Sequence, residues 1–245
     1  MSGTLHHEIA TVGSLQTTVL DEMYALFASC YDCVTRSGFD HDLSQKDYVI
    51  LLRDAGQNVR GFSTQRVFSW KGREAVDVLY SGDTIVDPSC WGSPELVKGW
   101  CAVAAAALRA QPGRRLYWLL LSKGCRTYLY MPLFFRKFVP SRHGDAPADW
   151  LTLRDDLGRH CFGAHYDAGR GIVRFPASKG QLKPSLADIP VSRQNDPHVD
   201  FFLKNNPRYP HGEELVCLTE ITPDNTHGPG RRWLLKALAA SPAQL

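Results

Sequence analysis

No segment of the 245 residues reads as a membrane span, because the longest apolar stretch, Cys101–Leu108, is mostly alanine. A bilayer crossing takes about 20 such residues. The first residues, Met1–Gly13, hold His6 and His7 but no apolar run, so no signal peptide is visible and a cytoplasmic chain without a membrane partner is expected. A dominant charge is missing too. With 28 basic and 25 acidic residues the net charge is +3, too balanced to argue for nucleic-acid binding from bulk charge. Internal repeats and low-complexity tracts are absent. Cysteine is not scarce, but its seven copies are odd in number and scattered, which points to reduced thiols rather than a disulfide framework. The one C-x-x-C, Cys30 and Cys33, has no second pair to complete a zinc site. Both cysteines also fall on the apolar positions of a helical pattern, so core packing is expected of them. What remains is a chain with 44% hydrophobic and 11% aromatic residues, enough for a packed core.

Periodicity then divides the chain into elements. Thr18 and Asp21 resemble a capping box, and Val19, Met23, Leu26, Phe27, Cys30, Tyr31 and Val34 recur at helical spacing up to Gly38. Three β-rich runs follow, Tyr48–Arg53, Val59–Trp70 and Arg73–Val86, separated by short turns, which predicts an antiparallel meander. Ser81-Gly82 interrupts the third run, and glycine inside a strand marks a bulge or a close backbone approach. Ser93-Pro94-Glu95 is a helix start whose helix should reach Ala110, before Gln111-Pro112-Gly113. Arg115–Ser122 is a buried-type strand, and Cys125–Phe138 an aromatic-rich helix with Pro132 inside it. Beyond Pro140 the pattern predicts a helix over Asp149–Cys161, a short strand over Gly171–Phe175, a proline-rich surface excursion over Lys179–Gly212, a strand over Glu213–Ile221 and a helix over Arg231–Ala239. A strand–helix–strand crossover favours parallel pairing, so the sheet is expected to be mixed.

The order from Thr17 to Pro140 resembles the GNAT superfamily of acyltransferases. The pieces that carry the resemblance are the helix from Thr18, the long strand Arg73–Val86, the helix from Ser93, the strand Arg115–Ser122 and the helix from Cys125. It implies an α/β (α+β) fold with a GNAT-like mixed, largely antiparallel central sheet flanked by helices. A core over residues 1–140 would carry a C-terminal extension over 141–245 that completes the acceptor side. It implies transfer of an acyl group from a thioester to an amine. The donor would lie beside the bulged strand, with its pyrophosphate at the start of the next helix. The family's glycine-rich turn is replaced here by Asp87-Pro88-Ser89-Cys90-Trp91-Gly92-Ser93, with one glycine and no basic residue. The donor is therefore expected to be acyl-CoA or another acyl thioester, including one on an acyl carrier protein, and the acceptor a small-molecule amine.

Candidate residues follow from chemistry and from the resemblance together. Tyr80-Ser81-Gly82-Asp83-Thr84 is a polar cluster in an otherwise apolar strand, and buried polar groups cost roughly 1–3 kcal/mol each without partners. Asp83 is the candidate base for the amine proton, with Ser81 beside it. The alternative for both is local satisfaction of the bulge. Tyr128, on the helix after Ser122-Lys123-Gly124, is the acid that the resemblance implies for the leaving thiolate. Thr84, Ile85, Trp91, Ser122, Lys123 and Arg126 are the candidate donor contacts. His160, Cys161, His165 and Asp167 lie close in sequence, but the H-x-x-x-x-H spacing does not put both histidines on one helix face, so no metal is expected. Two rival readings stand beside the transferase. One is a non-catalytic ligand-binding or interaction protein on the same scaffold, the other a hydrolase using Cys161 and His165.

Overall fold

A computed structural model describes residues 5–175 and 179–240. The chain forms two compact units. The first comprises Thr35–Leu116 together with the segments before Tyr31 and after His227, and the second Tyr31–Val34 with Tyr117–His227. The seam thus falls after Leu116, and the expected boundary at Pro140 lies inside the second unit.

In the first unit, strands β1 (His6–Thr11), β3 (Tyr48–Arg53), β4 (Val59–Lys71) and β5 (Ala75–Val86) pair in that order, all antiparallel. β2 (Tyr31–Asp32) belongs to the second unit. The meander was legible because Gly56-Gln57 and Lys71-Gly72 interrupt runs of β-branched and aromatic residues. β1 was not foreseen. Its sequence, HHEIAT, is too polar to read as a core strand, yet all six residues pair with β3. Helix α1 (Thr17–Cys30) and helix α2 (Arg36–Leu43) cover one face, where Phe39 meets Phe27 at 5.4 Å and Phe62 of β4 at 6.1 Å. The expected single helix up to Gly38 is instead these two, because Thr35 caps α2 by accepting the Gly38 N–H and the chain turns at Cys33, φ 58°. Cys30 is therefore a buried last residue of α1, while Cys33 is exposed and outside any helix.

Helix α3 (Glu95–Ala110) covers the other face, and α9 (Gly228–Ala239) packs on α3. Arg109 Nη1 donates to the Ala237 carbonyl at 2.9 Å, and the Cys101 thiol lies 3.9 Å from the Gly230 carbonyl. Gly99 lets α3 approach the sheet closely, since a Cβ there would stand 2.5 Å from Ile50 Cγ2. Gly99→Val is therefore expected to destabilise the chain by about 1–3 kcal/mol through overpacking, read as a lower urea midpoint at unchanged slope.

In the second unit, β6 (Leu116–Ser122), β10 (Glu213–Glu220), β8 (Ile172–Arg174) and β7 (Tyr166–Asp167) pair antiparallel in that order, with Leu116 on the seam. The short strands β2 (Tyr31–Asp32) and β9 (Gln181–Leu182) pair with each other. The expected helix Cys125–Phe138 is two single-turn pieces, α4 (Cys125–Tyr128) and α5 (Tyr130–Phe134). Helix α6 (Ala148–Phe162) packs on β10, and Gly163, φ 53°, ends it before His165. The segment 179–212 is not a surface excursion. Short helices α7 (Pro184–Ala187) and α8 (Pro197–Asn205) bury Val199 and Phe202, and Asn206 beyond them is fully buried, donating to the Glu213 carbonyl at 2.9 Å.

Of the buried thiols, Cys101 in the first unit and Cys217 in the second are the most enclosed, 1% and 0% exposed. Burial pushes Cys101 and Cys217 up to about 12. Because the folded value lies above the unfolded one, near 8.5, the neutral thiols stabilise the fold fully below that pH. The contribution is lost as pH rises towards 12, so the urea midpoint should fall over that window. A midpoint constant from pH 8 to 11 would contradict this.

Candidate active site

The interruption at Gly82 is a β-bulge. Ser63 pairs with Thr84 and Gln65 with Ser81, so Gly82 and Asp83 together oppose Thr64. On one face of the hairpin a relay of polar groups runs across both strands. The Ser81 hydroxyl donates to Gln65 Oε1 at 2.7 Å, and Gln65 Nε2 donates to Ser63 Oγ at 2.7 Å. Ser63 Oγ and Thr84 Oγ1 share a hydrogen bond of 2.7 Å. Ser63, Gln65 and Ser81 are buried, so these bonds offset the cost of removing their polar groups from water.

The other face holds Thr64 and Lys46. Lys46 is buried, and its ammonium donates to Asp42 Oδ2 at 2.8 Å and to the Asp42 carbonyl at 3.0 Å, 5.5 Å from the Tyr80 ring centre. Thr64 is 2% exposed, and its hydroxyl has no hydrogen-bond partner among the described residues. Only glycine fits opposite it, because a Cβ on Gly82 would stand 2.6 Å from Thr64 Oγ1 and 2.7 Å from Lys46 Cε. Asp83, at the second bulge position, is half-buried. Of the expected residues, the first unit thus brings Ser81, Asp83, Thr84 and the buried Ile85 together at the bulge.

Sequence reasoning missed Ser63, Thr64, Gln65 and Lys46. The signal was available for the first three. Counting back equally along both strands from the Lys71–Ala75 pair sets Gln65 opposite Ser81, so two polar runs meet across the hairpin.

The turn 87–93 is a self-contained cap. Asp87 Oδ1 accepts from the Ser89 N–H at 2.9 Å and the Ser89 hydroxyl at 2.7 Å, and Asp87 Oδ2 pairs with Arg60 at 2.9 Å. The Ser89 hydroxyl bond, aided by the Ser89 N–H and Arg60 against a desolvation cost, holds the Asp87 carboxyl below its ordinary value. Trp91 is exposed and anchors its indole N–H on the Val86 carbonyl at 2.9 Å. At the start of α3, Glu95 pairs with His7 at 2.7 Å and Lys98 at 2.6 Å. Burial works to raise the Glu95 carboxyl, but the Lys98 and His7 hydrogen bonds outweigh it and the net shift is downward. The positive end of the α3 dipole already faces a carboxylate. Asp87→Ala should destabilise the first unit by about 1 kcal/mol at pH 7. The loss should shrink as pH falls below the usual carboxylate range, because Asp87 stabilises the fold only while ionised. Urea midpoints at pH 7 and pH 3 check this.

The remaining expected residues lie in the second unit and are engaged in its packing. Tyr128 is fully buried between Phe138, Phe201 and Phe202, and its hydroxyl donates to the Pro140 carbonyl at 3.2 Å. Burial pushes its phenol far above the ordinary tyrosine value. Ser122 is fully buried, 3.8 Å from the Cys217 thiol. Lys123 is buried too, donating to the Lys179 carbonyl at 3.1 Å, pairing with Glu214 at 3.4 Å and lying 4.9 Å from the Tyr31 ring centre. Arg126 donates to the Leu186 carbonyl at 2.7 Å. Lys123 and Arg126, both candidate donor contacts, thus engage groups of the chain itself. His165 packs its ring on Phe175 at 5.8 Å, and Cys161 sits half-buried near the end of α6. Among the described residues, no group of three or more His, Cys, Asp or Glu could hold a metal ion, and no helix is long and apolar enough to cross a membrane.

No family model and no curated protein matches the chain. Solved structures similar to it include a GNAT family N-acetyltransferase from Escherichia coli in complex with CoA, at 13% identity over 52% of this chain and 68% of that one, TM-score 0.38. A probable N-acyltransferase from Enterococcus faecalis is similar at 13% identity and TM-score 0.39 over 55% of this chain, which spans only 33% of that protein. An aminoglycoside acetyltransferase from an uncultured soil metagenomic sample, solved with sisomicin, is similar at 15% identity over 51% of this chain and 82% of that one, TM-score 0.37.

Proposed function

We propose that the chain is an acyltransferase that moves an acyl group from a thioester to an amine, with Asp83 as the base. The observation that carries this reading is the bulge, which sets the half-buried Asp83 in a break of the β4–β5 ladder, opposite Thr64, whose buried hydroxyl has no hydrogen-bond partner among the described residues. The amine nitrogen attacks the thioester carbonyl carbon and forms the C–N bond, while Asp83 takes a proton from that nitrogen, directly or through one water. The tetrahedral intermediate then collapses, the C–S bond breaks with its electron pair on sulfur, and the thiolate is protonated from water. Tyr128 is assigned to packing in this scheme, since its hydroxyl is already donated to Pro140.

The donor is acyl-CoA or an acyl group on a carrier protein, and the acceptor a small amine. The CoA and aminoglycoside ligands of the solved structures set which donors and acceptors are assayed first. Mass spectrometry of the purified chain with a panel of acyl-CoA and acyl-carrier donors and amine acceptors tests the proposal. The expected result is an acceptor heavier by the acyl group, with free thiol released in equal amount. Thioester bound without turnover across the whole panel would sink it.

A second reading, a binding protein without catalysis, is favoured by one observation. Glu95 and the Asp87 cap occupy the start of α3, the place where a donor's pyrophosphate would be seated. The same panel separates the two readings.

A further inference from the structure

The second unit holds a concentration of positive charge that neither reading uses. Glu213, the first residue of β10, has a side chain only 2% exposed, and three arginines from three different segments converge on it. Arg174, opposite it in the β8–β10 ladder, donates to Oε1 through Nε at 3.0 Å and Nη2 at 2.6 Å. Arg208, between α8 and β10, approaches Oε1 with Nε at 3.1 Å. Arg170, in the β7–β8 turn, donates to Oε2 through Nη2 at 3.1 Å. Neutralising one buried carboxylate needs one guanidinium, and the two-point contact of Arg174 already supplies it. Two further positive charges are held within a few ångströms, where they repel one another. Among the described residues, the neighbouring carboxylates Asp167 and Glu214 have partners of their own. Asp167 is turned to the Arg170 backbone N–H at 3.2 Å, and Glu214, the next residue along the strand, is paired with Lys123.

Glu213 is sealed beneath the cluster, whereas the three arginine side chains are 38%, 61% and 61% exposed. The outward face is therefore cationic, and the contacts to Glu213 take only Nη2 of Arg170, Nε and Nη2 of Arg174 and Nε of Arg208. Guanidinium forks suit tetrahedral oxyanions, and three that share one anchoring carboxylate span a single such group rather than an extended acidic surface. We propose that Arg170, Arg174 and Arg208 form a binding site for a phosphate dianion, free or as the monoester end of a larger molecule, with Glu213 as the buried group that sets the three forks. The site is separate from the acyl-transfer reading and stands whether or not transfer occurs.

Calorimetry and thermal melting of the full chain with inorganic phosphate and with methyl phosphate, at ionic strength fixed by chloride, test the site. Saturable binding and a rise in Tm are expected with at least one of them. Binding of both or of phosphate alone identifies the free ion as sufficient, and binding of methyl phosphate alone identifies the monoester. Arg208→Gln, which leaves the Arg174 fork on Glu213, should weaken binding by about tenfold or more. Arg159→Gln, which removes an arginine paired with Asp156 on α6, should bind as the native chain does. If both phosphates act no differently from chloride, or if Arg208→Gln binds as tightly as the native chain, the site does not exist.

Discussion

Asp83→Asn should lower kcat for acyl transfer by about 100-fold or more, the usual size of a lost general base. Asparagine keeps the shape of the side chain and a carbonyl acceptor, so the bulge and its neighbours are retained. What is lost is the ability to hold a proton in the transition state. The loss should therefore fall on kcat, with KM changed little. A carboxylate that merely satisfied the bulge would give the opposite pattern, with a lower Tm and an unchanged kcat. The half-burial of Asp83 leaves it reachable, unlike Ser81, which is 1% exposed and bonded to Gln65. Full transfer activity in the asparagine variant would remove Asp83 from the chemistry.

The largest stability effect is expected at Tyr128. Tyr128→Ala deletes a ring packed among Phe138, Phe201 and Phe202 and should cost about 3–5 kcal/mol, a large part of a typical domain's stability. Tyr128→Phe keeps the ring and gives up only the bond to Pro140, so about 1 kcal/mol is expected. The phenylalanine variant also decides the role of the phenol. If the hydroxyl only anchors the Pro140 segment, Tyr128→Phe keeps kcat while its urea midpoint shifts slightly. A fall in kcat of tenfold or more at native stability would return Tyr128 to the reaction as an acid.

Much of the first unit could be read from sequence, for physical reasons that vary by element. Tyr48–Arg53 is bounded by a charged stretch and a glycine turn and matches its expected bounds, and Ser93-Pro94-Glu95 is a helix start with its own chemistry, though the helix begins at Glu95 with Pro94, not Ser93, at the N-cap. The bulge was legible because glycine in a core strand needs a reason, and Thr64 with Lys46 supplies it. The break after Cys30 was not, since Tyr31 and Val34 continue the helical period while the left-handed turn at Cys33 ends it. Nor was the packing of 179–212, where prolines imply irregular backbone but do not reveal that Phe202 and Asn206 are buried. Among the candidate residues, type alone could not separate Asp83 from Lys123 or Tyr128. The surroundings of Lys123 and Tyr128 depend on where Glu214, Lys179, Phe201 and Phe202 lie in space, and those partners come from distant parts of the chain.

The placement of α9 on α3 has a consequence for how the chain comes into being. During synthesis the ribosome delivers the meander and α3 first, then the Tyr117–His227 part of the second unit, and only afterwards the helix that α3 packs against. The side of α3 that α9 covers must wait for it through more than a hundred further residues of elongation. A nascent chain stalled before Gly228 would present that surface to chaperones, as transiently exposed apolar surface does in folding intermediates generally.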